Sequence, residues 1–287
     1  MDFGKVLTAM VTPFDNRGNL DLEKTTKLVD YLIDNGSDGL VIAGTTGESP
    51  TLTGEEKVAL CEHVVKVVNK RVPVLAGTGS NNTHATIDLT KKVEHTGVDG
   101  IMLVAPYYNK PSQEGLYQHF STIAAATSLP VMLYNVPGRS SVSIDVDTVV
   151  RLSEVDNIVS IKDAAGDLDA MTEMIAKTSD DFSVYSGEDS LTLPSFSVGA
   201  NGIVSVSAHV IGAEMKEMLE AIEKGERQKA AQLHQQLLPI MQGCFMAPSP
   251  SPVKTALQMK GIDVGGVRLP LLPLTAEQRT TLAKLLS

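Results

Sequence analysis

The sequence predicts a closed (β/α)₈ barrel with a helical appendix at its C-terminus, and three observations carry that expectation. Eight short β-rich runs alternate strictly with longer amphipathic segments. Most of the runs are continuously apolar rather than alternating, as in parallel strands buried on both faces. The first run ends in Thr12-Pro13-Phe14-Asp15. It therefore lacks the glycine-rich turn that usually follows the first strand of an open doubly wound sheet, the structural alternative. At 287 residues the chain is long enough for such a barrel, which takes about 250 as one unit.

Strands are expected at 6–12, 39–44, 72–78, 100–106, 130–137, 158–164, 182–187 and 202–206. Pro73, Gly97 and Pro130 punctuate the ends of the preceding helices. In the first helical stretch Leu22, Leu28, Val29, Leu32 and Ile33 share a face, with Lys24, Lys27, Asp30 and Asp34 elsewhere. Comparable patterns occupy 54–70, 83–96, 113–127, 145–153, 168–178, 189–199 and 209–223. Three more helices are expected at 226–242, at 251–260 with Pro252 near its start, and at 275–286. The last opens on a capping signal, Thr275 followed three residues later by Gln278. The expected division is a catalytic barrel at 1–224 and a C-terminal helical domain at 225–287, packed on the barrel because it is too small to fold alone.

A formal net charge of −10 argues against a nucleic-acid or anionic-membrane surface, while leaving room for a local basic pocket. No apolar run approaches the ~20 residues that span a bilayer. Met1-Asp2-Phe3-Gly4-Lys5 lacks a signal-peptide pattern. The only two cysteines, Cys61 and Cys244, read as reduced. A cytoplasmic protein is expected. The six histidines show no ligand spacing, so no metal site is expected.

Barrel active sites sit at the C-terminal strand ends. There Lys162 follows Val159-Ser160-Ile161, where an ammonium is costly to desolvate and a neutral amine is a nucleophile toward carbonyls. A lysine paired with Asp163, or exposed at the strand end, fits the residue equally well. Three of the six tyrosines, Tyr107, Tyr108 and Tyr134, also lie at strand ends, where a phenol can move protons to and from a developing alkoxide. Plain packing is the competing role. Gly44-Thr45-Thr46-Gly47-Glu48 is a turn with open amides and hydroxyls that suits a carboxylate. Phosphate is the rival anion, but the loops after strands 7 and 8 carry Glu188 and Asp189 and no basic group. A simple tight turn is the plainer alternative. Arg139, after Pro137-Gly138, can grip a second carboxylate or form a surface ion pair.

Together, Gly44-Thr45-Thr46-Gly47-Glu48, Tyr134-Asn135-Val136-Pro137-Gly138-Arg139 and Ile161-Lys162 resemble the signatures of the pyruvate-dependent class I aldolases, and most closely their dihydrodipicolinate synthase branch. The agreement extends over essentially the whole chain. The resemblance implies a cofactor-free enzyme acting on pyruvate and L-aspartate 4-semialdehyde, in lysine and diaminopimelate biosynthesis. It implies Lys162 as the Schiff-base residue, Tyr134 as its acid/base, and Thr46 and Tyr108 as a proton relay, with Tyr108 reaching in from a neighbouring subunit. Thr45 and Thr46 would hold the pyruvate carboxylate, Gly187 and Val204 would line the pocket through their backbones, and Arg139 would take the semialdehyde carboxylate. A homo-oligomer is implied, either a dimer or a tetramer of tight dimers. The positions matching the L-lysine inhibition site of sensitive relatives are Ser49, Pro50, Gly54, Lys57, Asn81, Ala85 and Tyr107. Gly54 and Lys57 stand where those relatives usually carry histidines, and Ala85 where they carry an acid, so the site is expected to be non-functional here. Sialic-acid lyases resemble the chain in barrel and lysine but typically have serine at Thr45 and lack the Gly138-Arg139 pair. Sugar-acid aldolases are the closer alternative, and a silent keto-acid-binding barrel is the non-enzymatic one. Lys162-Asp163-Ala164-Ala165 departs from the usual Lys-Glu-Ala-Ser of the synthases.

Overall fold

Parallel strands β1 Val6–Ala9, β2 Gly39–Ile42, β3 Val74–Gly77, β4 Gly100–Val104, β5 Val131–Asn135, β6 Ile158–Asp163, β7 Ser183–Ser186 and β8 Gly202–Ser205 follow one another round a closed barrel, with β8 completing the ring against β1. The computed structural model describes residues 3–287. The strands are shorter than the apolar runs that predict them. Met10 still donates its N–H to the Val41 carbonyl (2.9 Å), but the Val11 N–H donates instead to Nε2 of His209, 3.1 Å away. Burial pushes that histidine down to about 4, consistent with a neutral ring that accepts at Nε2 and donates at Nδ1 to the Val206 carbonyl.

The apolar runs are explained by two-sided burial. One set of strand residues, including Leu7, Val41, Leu75, Met132 and Tyr185, fills the barrel interior. The residues between them, such as Val6, Leu40, Leu103 and Val131, face the surrounding helices. Those helices are α1 Leu22–Asp34, α2 Gly54–Val68, α3 Thr83–Glu94, α4 Gln113–Ala124, α5 Pro137–Ser140, α6 Val146–Ser153, α7 Leu168–Lys177, α8 Thr192–Ser197 and α9 Ala208–Glu223. Side-chain caps start several of them: Asp21, Asn82, Ser112 and Asp167, and Thr53 in a full capping box with Glu56.

Two local features differ from the sequence reading. The single turn α5 follows β5 directly, started by Pro137. The stretch 189–199 is a 3₁₀ turn, Asp189–Leu191, followed by the short α8. The break places the Asp189 carboxylate inside. It accepts from the Val206 and Ser207 N–H groups (3.1 and 3.0 Å) and from the Ser205 and Ser207 hydroxyls, tying the end of β8 to the start of α9.

The tail forms α10 Arg227–Gly243, α11 Ser251–Met259 and α12 Ala276–Leu286, the last with its Thr275–Gln278 capping box. Leu237, Met241, Val253, Leu257 and Leu282 share one apolar cluster with Leu28 and Leu32 of α1. No helix of the described residues is long and apolar enough to cross a membrane.

Candidate active site

Strand register brings the key side chains together. Tyr134 on β5 lies opposite Lys162 on β6, and side chains opposite each other in parallel strands point to the same face. The Lys162 Nζ stands 4.2 Å from the centroid of the Tyr134 ring, and both residues are about 95% buried. Lys162 makes no ion pair with Asp163. That carboxylate belongs to the outer side of the strand and accepts from Asn135 Nδ2 at 2.7 Å. Burial raises its pKa, against the lowering effect of the Asn135 bond. Asn135 in turn accepts from the Ile144 N–H (3.0 Å), so the pair fixes both ends of the loop that carries Arg139.

Gly187 makes room for the lysine. A Cβ at that position would lie 2.9 Å from Lys162 Cε and 2.7 Å from Ala164 Cβ. Its N–H donates to the Asp163 carbonyl at 2.7 Å. Val204 is buried within the interior packing of the barrel and contributes no wall to the cavity that Tyr134 lines.

A cavity of about 270 Å³ opens at the C-terminal end of the barrel. Thr45, Met102, Val104, Tyr134 and Val136 line its inner part, and Arg139 also lines it. Thr45 is half-buried and Thr46 buried. Their turn is closed by the Glu48 N–H donating to the Thr45 carbonyl (3.0 Å) and pinned from the segment after β1 by the Thr12 hydroxyl, which donates to the Gly47 carbonyl at 2.6 Å. Arg139 sits exposed in α5 at the rim. Glu188 is half-buried nearby. Burial and then the Asp189 charge push its pKa up, while Lys162 and Arg139 pull it down. Sequence reasoning passed over Glu188 as a site residue, and also Met102 and Val104, which look like ordinary apolar strand residues.

The outer part of the cavity is lined by Ser49, Pro50, Lys57, Ser80 and Tyr107. Burial lowers the pKa of Lys57, and no acidic residue lines the cavity among the described residues. Asn81 donates to the Tyr107 carbonyl at 3.1 Å, while Gly54 and Ala85 are exposed on the first turns of α2 and α3. Tyr108 lies apart from all of these. It is 89% exposed, with φ +73 in the left-handed region that a bulky residue adopts only at a cost. Among the described residues no group of three or more His, Cys, Asp or Glu could hold a metal ion.

Comparison with known proteins sets this geometry in context. Residues 2–287 match the model of the dihydrodipicolinate synthetase family. The chain is 63% identical to the 4-hydroxy-tetrahydrodipicolinate synthase of Oceanobacillus iheyensis over all of this chain and 97% of that one. It is similar to a solved dihydrodipicolinate synthase of Bacillus anthracis at 70% identity and a TM-score of 0.99, covering 100% of this chain and 98% of the other. It is also similar to the synthase of Cyanidioschyzon merolae solved with lysine bound, at 42% identity and a TM-score of 0.96, covering 99% and 97% of the two chains. With its barrel, strand-end lysine and full-length agreement, the chain belongs to the dihydrodipicolinate synthetase family.

Proposed function

We propose that the chain condenses pyruvate with L-aspartate 4-semialdehyde to give 4-hydroxy-tetrahydrodipicolinate, with residues 1–224 as the catalytic barrel and 225–287 as a helical domain packed on it. The observation that carries this reading is the buried Lys162 amine held 4.2 Å from the Tyr134 ring centroid at the C-terminal mouth of the barrel. The Lys162 amine attacks the pyruvate carbonyl carbon. The carbinolamine loses its oxygen as water and becomes an iminium. Loss of a methyl proton then gives an enamine, the iminium nitrogen taking the electron pair. The enamine carbon bonds to the aldehyde carbon of the semialdehyde, whose oxygen gains a proton. Finally the amine of the bound semialdehyde attacks the iminium carbon, closes the ring and expels Lys162.

Proton movements fall to Tyr134, with Thr46 and the partner subunit's Tyr108 completing a relay. The outward, strained placement of Tyr108 supports its use across a subunit interface. A homo-oligomer, a dimer or a tetramer of tight dimers, in the cytoplasm is part of this reading. Thr45 and Thr46 take the pyruvate carboxylate, Gly187 and Val204 contribute backbone contacts, and Arg139 takes the semialdehyde carboxylate. The test is an assay of pyruvate with aspartate semialdehyde against a panel of sugar aldehydes. The semialdehyde is expected to be the preferred acceptor. Faster turnover of a sugar aldehyde would move the chain to the sugar-acid aldolases.

Arg139→Ala separates the two carboxylate sites. Losing a charge-assisted pair worth roughly 1.5–3 kcal/mol should lower kcat/KM for the semialdehyde by about 10–100-fold. The rate at which pyruvate forms its imine, read by borohydride trapping, should barely change. Equal losses for both substrates would make Arg139 a structural residue.

Insensitivity to L-lysine is the expectation for the residues at the matching positions. Ala85 offers no carboxylate to a lysine ammonium, and Lys57 adds a like charge beside it. Losing one partner and gaining a repulsion costs on the order of several kcal/mol, comparable to the roughly 4 kcal/mol of a 1 mM affinity. Steady-state rates are expected to hold at millimolar L-lysine, and clear inhibition at or below about 1 mM would show that another acid, brought by repacked loops, replaces the missing one.

A further inference from the structure

The cluster that the reaction leaves unused lies behind the Thr45-Thr46 turn. Glu48 closes that turn with φ +56, a left-handed conformation that a non-glycine residue adopts at a cost, and its side chain is buried. Both carboxylate oxygens are held by the tail. Oε2 accepts from the Arg268 N–H at 2.8 Å. Oε1 lies 2.7 Å from Lys254 Nζ, a close charge contact rather than an aligned hydrogen bond. Lys254 comes from α11 and is itself buried. Its ammonium donates to the Gly266 carbonyl (2.7 Å) and sits 4.3 Å from the centroid of the Phe14 ring. Arg268 continues the clamp, with its guanidinium over the same ring, donating to the Thr51 carbonyl (2.7 Å) and paired with Glu56.

We infer that Lys254 is a positioning residue for the reaction, holding the Thr45-Thr46 turn in its substrate-binding shape through Glu48. The inference rests on the reading that this turn takes the pyruvate carboxylate. A buried ion pair is a costly way merely to attach a tail, because apolar side chains of similar volume would do it without desolvating two charges. What the pair does provide is a fixed point for the carboxylate of a strained residue, two positions from the hydroxyl of Thr46. Burial lowers Lys254 to about 8, with Glu48 opposing that shift, so at neutral pH the ammonium and its contact persist.

The test uses the full-length enzyme and follows borohydride trapping of pyruvate at Lys162 as a function of pyruvate concentration, beside steady-state kinetics. Lys254→Met is expected to raise the half-saturating pyruvate concentration by roughly tenfold to a hundredfold, the scale of a small misplacement of a binding group. The KM for the semialdehyde should change much less, and Lys254→Arg should restore part of the loss. If Lys254→Met does not fold, the double variant Lys254→Met/Glu48→Gln removes both buried charges and leaves no carboxylate unpaired. It should show the same selective loss. A folded variant, single or double, that binds pyruvate like the wild type would overturn the proposal. Absence of any trapped adduct in the wild type would instead remove the Schiff-base reading on which it rests.

Discussion

Pyruvate and borohydride together are expected to leave one stable adduct, on Lys162 and on no other lysine. Lys162→Ala should lose condensation activity by about 10⁴-fold or more, the scale of deleting a covalent nucleophile. Two other lysines make this a demanding expectation. Lys254 is equally buried and is lowered to about 8, but its ammonium is committed to Glu48 and the Gly266 carbonyl, away from the cavity. Lys57 does line the cavity, and burial lowers it too, but it stands in the outer part without a phenol of the Tyr134 kind held against it. Of the three, only Lys162 combines a place inside the barrel mouth, a phenol ring against its amine and the space left by Gly187 for its chain. Peptide mass spectrometry decides the matter. An unmodified Lys162 after complete inactivation would sink the mechanism, and an adduct on Lys57 would relocate it.

The barrel was legible because its physics is repetitive. Every strand is buried on both faces, so each reads as an apolar run, and each helix needs one apolar stripe. Lys162 was legible for the converse reason, as a charge inside such a run. What the sequence hid depends on conformation rather than composition. Tyr107 and Tyr108 are neighbours of the same type, yet one lines the cavity and the other points to solvent, because Tyr108 adopts a positive φ that no local pattern announces. Lys254 sits in Ser251-Pro252-Val253-Lys254-Thr255, where a lysine looks like the polar side of a helix. It is buried along with the rest of 251–257, and its ion-pair partner Glu48 lies about two hundred residues away, a separation that leaves no periodic trace. Asp189 broke the expected helix at 189–199 in the same way, by turning inward to bind the backbone after β8. Val204 entered the site through the resemblance alone. Its side chain fills the interior, and a backbone contact with a substrate leaves no mark on residue type.

Tyr134→Phe should lower turnover by roughly 10²–10⁴-fold, the size of a positioned acid/base effect, while leaving the fold intact. The substitution is clean because the packing of this side chain and its proposed proton transfer separate at one atom. The ring packs in the barrel interior and meets the Lys162 amine at 4.2 Å, and phenylalanine keeps that ring. Only the hydroxyl is lost, so the lysine keeps its neighbour and its burial. Three of the proposed steps need a proton delivered or taken beside Lys162: loss of water from the carbinolamine, formation of the enamine and protonation of the new alkoxide. Without the phenol, each must rely on solvent reaching a buried site. The expected signature is therefore a fall in kcat with slower adduct formation at saturating pyruvate, while the half-saturating pyruvate concentration stays near that of the wild type. A thermal melt close to the wild type would confirm that packing is preserved. Near-wild-type turnover in a folded Tyr134→Phe enzyme would reject the acid/base role. The proton traffic would then fall to Thr46, to the partner subunit's Tyr108 or to Glu188, whose pKa is already raised by burial at the edge of the same site.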